Sequence, residues 1–153
     1  MQNEVHLPTT LHTPHIRDEY LDFIHRTGTK HFGFNIDFGT FQYKAGKGME
    51  HMTWQKFEDY TKPEEIVEFL PYSWACHAKY TYVDENFEEQ SIPYPEIIKL
   101  MVDNGWNGDI LSEFEGAIRY SCETSPELFG RATTEIPEQV RRHQIMLRNI
   151  LGY

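Results

Sequence analysis

The stretch that most limits the fold is Phe32 to Phe41, which reads F-G-F-N-I-D-F-G-T-F. Phe32, Phe34 and Ile36 alternate with Gly33, Asn35 and Asp37, a period of two that predicts a strand with one apolar face. The other face is small or polar and ends in a carboxylate, and Gly39 marks the break into a loop. An acid at the C-terminal tip of a strand, on the side away from the apolar residues, points to a site rather than to a core.

Three other stretches repeat the design. Glu4-Val5-His6-Leu7 alternates as far as Pro8, with Glu4 and His6 on one face. Ser73 to Lys79 sets Trp74, Cys76 and Ala78 against Ala75, His77 and Lys79. Asp109 to Glu115 sets Ile110 and Phe114 against Leu111, Glu113 and Glu115.

Helical spacing fills much of the rest. Pro14 opens a helix with the stripe Ile16, Tyr20, Phe23 and Ile24, and Gly28 stands where a C′ glycine would. Lys44, Gly46, Lys47 and Gly48 predict a mobile loop, and Met49 to Tyr60 a short helix whose Trp54, Phe57 and Tyr60 pack the loop or cap a substrate. Thr61-Lys62-Pro63-Glu64 resembles a capping box opening a helix through Ile66, Val67, Phe69 and Leu70, closed by Pro71. An acid-rich loop, Asp84 to Gln90, leads to a helix opened near Pro95, with Ile97, Ile98, Met101 and Val102 as its stripe and Gly105 at its end. A long loop with Pro126 and Gly130 precedes a last helix, Pro137 to Leu151, with Val140, Gln144, Leu147 and Leu151 as its buried row.

Alternating strands and helices predict a parallel sheet. Small or polar residues on one strand face suit a (β/α) barrel interior, whose strand tips carry the reactive groups. Glu4, Asp37, His77 and Glu113 each hold that place, about one βα unit apart. Three carboxylates and an imidazole are a hard donor set, suited to Mn²⁺ first, with Mg²⁺ or Co²⁺ as alternatives. Bland readings stand beside this one: Glu4 solvated near the start of the chain, Asp37 closing an Asx turn, His77 satisfied in the interior, Glu113 and Glu115 as rim acids.

At 153 residues, 39% apolar and 14% aromatic, the chain reads as one globular domain. The net charge of −10 argues against nucleic acid or an anionic membrane as partner. Cys76 and Cys122 read as free thiols in a reducing compartment. No apolar run spans a membrane and the start M-Q-N-E-V-H has no signal-peptide core, so a cytoplasmic location is expected.

The pieces E-V-H at Glu4, N-I-D-F-G-T-F around Asp37, C-H-A-K around His77 and S-E-F-E-G around Glu113 together resemble the C-terminal half of the xylose-isomerase-like barrels, the sugar phosphate isomerase/epimerase superfamily. The resemblance implies an α/β fold, the C-terminal half of a (β/α)8 TIM barrel, with residues 1–153 supplying strands 5 to 8 as about four parallel βα units. It implies a Glu4, Asp37, His77, Glu113 metal set, with Glu4 and Glu113 as the catalytic acids acting from opposite faces of a sugar. His6, Lys79 and Glu115 are the candidate substrate contacts. His6, His12, His15 and His25 are not expected to be metal ligands.

The implied activity is divalent-metal-dependent sugar isomerase or epimerase chemistry through an enediolate. The Lys44 insertion and the tail from Arg131 to Leu151 look more like the large subunits of C-glycoside deglycosidases, which would cleave a 3-oxo-glycoside by elimination. An inactive half-barrel serving as a binding or subunit module is the further alternative. A metal-dependent endonuclease on the same barrel is opposed by the charge. Thr40 stands where many ketose epimerases carry a histidine. The expected partners are a sugar or sugar derivative and a completing chain: an N-terminal half-barrel, a small subunit or a second copy.

Overall fold

The computed structural model describes residues 2–5, 14–46, 61–116 and 126–153, with side chains described for 18–46, 61–116 and 135–153. Four strands, β1 (Gln2–Val5), β2 (Gly33–Asp37), β3 (Ser73–Tyr80) and β4 (Asp109–Phe114), form one parallel sheet in the order β1-β2-β3-β4. Helix α1 (Pro14–Thr27) lies between β1 and β2, α2 (Tyr94–Asp103) between β3 and β4, and α3 (Pro126–Leu151) follows β4. The α/β class and the parallel pairing are those expected from the alternation.

The apolar strand faces make the core. Phe34, Ile36, Cys76, Ala78 and Tyr80 pack in one cluster with Leu21 and Ile24 of α1, Ile97, Ile98 and Met101 of α2, and Met146 and Leu147 of α3. The described helices therefore cover a single face of the sheet. On the other face Leu111 stays 47% exposed, and Asn35, Ala75 and His77 are half-buried.

Two glycines end helices as the sequence suggests. Gly28 sits at φ +58° with its N–H on Ile24 O. Gly105 sits at φ +72° in a Schellman closure, Trp106 N donating to Met101 O and Gly105 N to Val102 O.

Several expectations are corrected. The helix expected over Lys62 to Leu70 is instead two 3₁₀ turns, Pro63–Ile66 and Leu70–Tyr72. Prolines at both ends leave too short a run for an α-helix, and i→i+3 bonds such as Phe69 N to Ile66 O close it more tightly.

The last helix begins at Pro126, not Pro137, which lies inside it. Its buried row is also turned: Gln139, His143, Met146 and Leu147 are buried, whereas Val140 and Leu151 are 37% and 36% exposed and Gln144 is exposed. Two polar residues buried on hydrogen bonds are invisible to an apolar-period reading.

Trp74 does not join Cys76 in the core. The pairing passes from Phe34↔Ser73 to Asn35↔Ala75, so Trp74 is an extra residue at a bulge and is 43% exposed. Phe23 and Val102, read as stripe residues, are 45% and 56% exposed, with Leu21 buried in the α1 stripe instead.

The loop expected to be mobile over Lys44 to Gly48 is described only as far as Gly46, and the short helix expected over Met49 to Tyr60 lies outside the described residues.

Candidate functional site

Asp37 ends β2 because the chain turns there into the 3₁₀ segment Phe38–Phe41. Its Oδ1 accepts from Gly39 N at 2.6 Å, capping that turn, and the side chain is fully buried. The Asx-turn reading is thus present in the structure, and the turn is what fixes the carboxylate at the strand tip.

The register places the other groups. Asp37 pairs with His77, and His77 with Leu111. Glu113 pairs with Lys79, one pleat step nearer the C-terminal end. Glu113 therefore lies one step beyond the level shared by Asp37 and His77. Side-chain length closes the gap: one ligand atom from each of the three lies within 4.8 Å of the others. His77 Nδ1 is 3.4 Å from Glu113 Oε2, near enough for charge attraction but not aligned as a hydrogen bond. That oxygen is buried with no hydrogen-bond partner.

Lys79 crosses the rim. Its Nζ lies 3.0 Å from Asp37 Oδ2 and 3.0 Å from Glu115 Oε1, and its side chain is 11% exposed. Gly39 leaves the room: a Cβ there would stand 2.7 Å from Lys79 Cδ and 2.9 Å from Asp37 Oδ1. Burial alone would lower the Lys79 pKa, but Asp37 and Glu115 outweigh it and the ammonium is held above its ordinary value. Glu113 is raised above the ordinary carboxylate range, first by burial and then by the Asp37 charge, against the pull of Lys79 and His77.

Glu4 pairs through its backbone with Asn35, one pleat step below Asp37, and its side chain is outside the description. His6, His12, Trp54, Phe57 and Tyr60 lie outside the described residues, as does the side chain of His15. His25 is on α1, bonded to the Tyr72 hydroxyl at 2.8 Å, away from the strand tips. Thr40 is buried in the turn after Asp37. Cys76 is buried on the core face, and burial pushes its thiol pKa up, as an inert structural cysteine requires.

The sequence reading passed over His143. It is fully buried, stacked on Tyr80 at 4.0 Å, with Nδ1 2.9 Å from Ser112 Oγ and Nε2 3.0 Å from the Tyr94 hydroxyl. One signal was available: Gln139 and His143 stand one helical turn apart, in line with Met146 and Leu147.

Two carboxylates and an imidazole with an unpartnered Glu113 oxygen make a donor set that fits a hard divalent ion. Lys79 supplies at Asp37 part of the positive charge such an ion would bring. No helix among the described residues is long and apolar enough to cross a membrane.

Fold and rim together define an α/β chain with an acid–imidazole–lysine cluster at the C-terminal tips of a parallel sheet. No protein-family profile matches the chain. It is similar to a C-glycoside deglycosidase alpha subunit of Microbacterium trichothecenolyticum, 52% identical over 40 residues, which are 26% of this chain and 11% of that protein. A C-glycoside deglycosidase alpha subunit of Arthrobacter globiformis is 40% identical over 50 residues, 33% of this chain and 14% of the relative. A 3'-dehydrocarminate deglycosidase alpha subunit of a Microbacterium species is 38% identical over 55 residues, 36% and 16% of the two chains. The matches thus span between 11% and 16% of these relatives' lengths.

Proposed function

We propose that this chain is part of a sugar-processing subunit of the C-glycoside deglycosidase kind, acting on a 3-oxo-glycoside by elimination. The observation that carries the proposal is the convergence of Asp37, His77 and Glu113 within 4.8 Å at the strand tips. The relatives' names favour this reading over a sugar isomerase or epimerase.

In this reading Asp37, His77 and Glu113, with Glu4 as a fourth ligand, would hold one divalent ion, Mn²⁺ by preference. When bound, such an ion polarises adjacent sugar oxygens and acidifies a hydrogen beside a carbonyl. Glu113 is suited to take that proton, because burial and the neighbouring Asp37 make its carboxylate more basic than usual. The electron pair left on carbon would then form a C=C bond as the bond to the aglycone breaks, and the departing aglycone carbon would take up a proton in exchange. Glu4 is the acid assigned to the opposite face of the sugar. Lys79 donates to a sugar oxygen, while Glu115 and His6 bind hydroxyl groups.

The sheet is proposed to be part of a (β/α)8 barrel. Support comes from the face bearing Asp37: Leu111 is exposed on it, and Asn35 Oδ1 is buried without a hydrogen-bond partner. Both are what an inner face looks like when its opposing layer comes from elsewhere, from another subunit or further chain. A second subunit is in keeping with relatives named alpha subunits.

Two measurements test the proposal. Elemental analysis of the purified protein should find Mn²⁺, and Asp37→Ala should lose it; undiminished stoichiometric metal in that variant would refute the site. A complete assembly should release aglycone from a 3-oxo-C-glycoside, and Glu113→Gln should abolish the release without unfolding the protein. Release at an unchanged rate by that variant would refute its role.

A further inference from the structure

β2 pairs with β3 only as far as Asp37 and His77, after which its chain turns away. Lys79 lies past that last rung, so its carbonyl needs a partner from outside the ladder. The Tyr94 hydroxyl supplies one, donating to Lys79 O at 2.7 Å. A carbonyl only accepts, so the single Tyr94 proton is committed. Its oxygen must then accept from His143 Nε2, 3.0 Å away.

This sets the tautomer of the neutral ring: Nε2 carries the hydrogen and Nδ1 accepts. The donor to Nδ1 is Ser112 Oγ at 2.9 Å, and Ser112 in turn accepts from Gln144 Nε2. Every link runs one way, from Gln144 through Ser112, His143 and Tyr94 to the carbonyl of Lys79. The chain ties α3, β4 and α2 to a strand end that β4 holds on one side and that β2 no longer reaches on the other. Packing alone would not need it, since an apolar ring would fill the same space against Tyr80.

We propose that His143 is a positioning residue for the rim: acting through Tyr94 it holds the main chain of Lys79, and so keeps the Lys79 ammonium between Asp37 and Glu115. The bearing of this on chemistry rests on the function proposed above. The rim charge is arranged by a residue in the helix layer on the opposite face of the sheet, and the lysine's direction is set from its backbone as well as from the carboxylates it meets. The Gly39 gap serves the same end from the opposite side, leaving the stem of Lys79 one lane.

The test is the reactivity of Lys79 in the native full chain. Acetylation by an N-hydroxysuccinimide ester, read by peptide mass spectrometry, gives the rate at Lys79 relative to Lys99, whose side chain is 72% exposed. Tyr94→Phe removes one hydroxyl and should raise that ratio about fivefold, the factor that one lost hydrogen bond implies. His143→Phe should raise it as much, and Ser112→Ala should give a smaller rise of the same sign. Leu147→Ala, a core change on the same helix, should lower stability and leave the ratio where it was.

An unchanged ratio in Tyr94→Phe overturns the inference, and so does an equal rise in Leu147→Ala. If Tyr94→Phe and His143→Phe do not fold, Ser112→Ala decides alone: no rise there refutes the relay. The readout needs neither metal nor sugar. Loss of the metal hypothesis in Asp37→Ala therefore leaves this result standing, and an unchanged Lys79 ratio leaves the metal hypothesis standing.

Discussion

Acidification should destabilise this protein through His143, by an amount that can be worked from its surroundings. The ring is fully buried and meets Tyr80, Tyr94 and Ser112, none of them charged. Burial lowers its pKa from the ordinary 6.5 to about 3. The sign follows from linkage. The folded value lies below the unfolded one, so the stabilisation is fully present above 6.5 and is lost as pH falls from there towards about 3, because only the unfolded chain takes the proton. From about pH 7 to about pH 5 the loss is about 2 kcal/mol, on the order of a seventh to two fifths of a typical domain's stability. At about pH 5 that figure depends only on the unfolded value, provided the folded one is below about 4.

The assay is urea unfolding of the chain and of His143→Gln, which keeps an amide in the ring's place and cannot titrate. The other histidines are common to both proteins and cancel in the difference. The stability gap between the two should shrink by about 2 kcal/mol on going from about pH 7 to about pH 5. A gap that stays constant over that range would mean that the ring is reached by water, or is charged in the fold, and the reasoning from burial would fail.

Other outcomes follow from single contacts. Gln139→Ala should cost about 2 kcal/mol or more, because the amide bonds both Val83 N (2.7 Å) and Val83 O (3.1 Å) in the interior; Val140→Ala, next to it and 37% exposed, should cost under about 0.5 kcal/mol in the same urea titration. Phe34→Ala should cost about 3 to 5 kcal/mol, since its fully buried ring meets Tyr20, Phe32 and Phe69 edge-on; a loss below about 1 kcal/mol by calorimetry would contradict the core assignment. Gly39→Ala should cost about 1 to 3 kcal/mol and weaken Mn²⁺ binding in a titration, because the new Cβ meets the Lys79 stem and the Asp37 carboxylate; unchanged metal affinity would show that this crowding does not reach the rim.

Much of the fold was legible in the residues themselves. A period of two in Phe34 and Ile36, and in Cys76 and Ala78, names a strand and its buried face without reference to anything distant. Gly28 and Gly105 end helices because a positive φ is a local demand that glycine meets at least cost. Asp37, His77, Lys79 and Glu113 share a face for the same local reason, alternation along each strand.

What local pattern could not supply is how strands are set against one another. The bulge that turns Trp74 out, and the pleat step that lifts Glu113 above His77, are properties of pairing between strands. Lys79 bridging Asp37 and Glu115 depends on that pairing as well. The buried row of α3 was decided the same way. Gln139 and His143 face inward because Val83, Ser112 and Tyr94 wait there with matching donors and acceptors. A polar side chain is buried only when partners from distant segments satisfy it, and those partners are assembled by the tertiary structure alone.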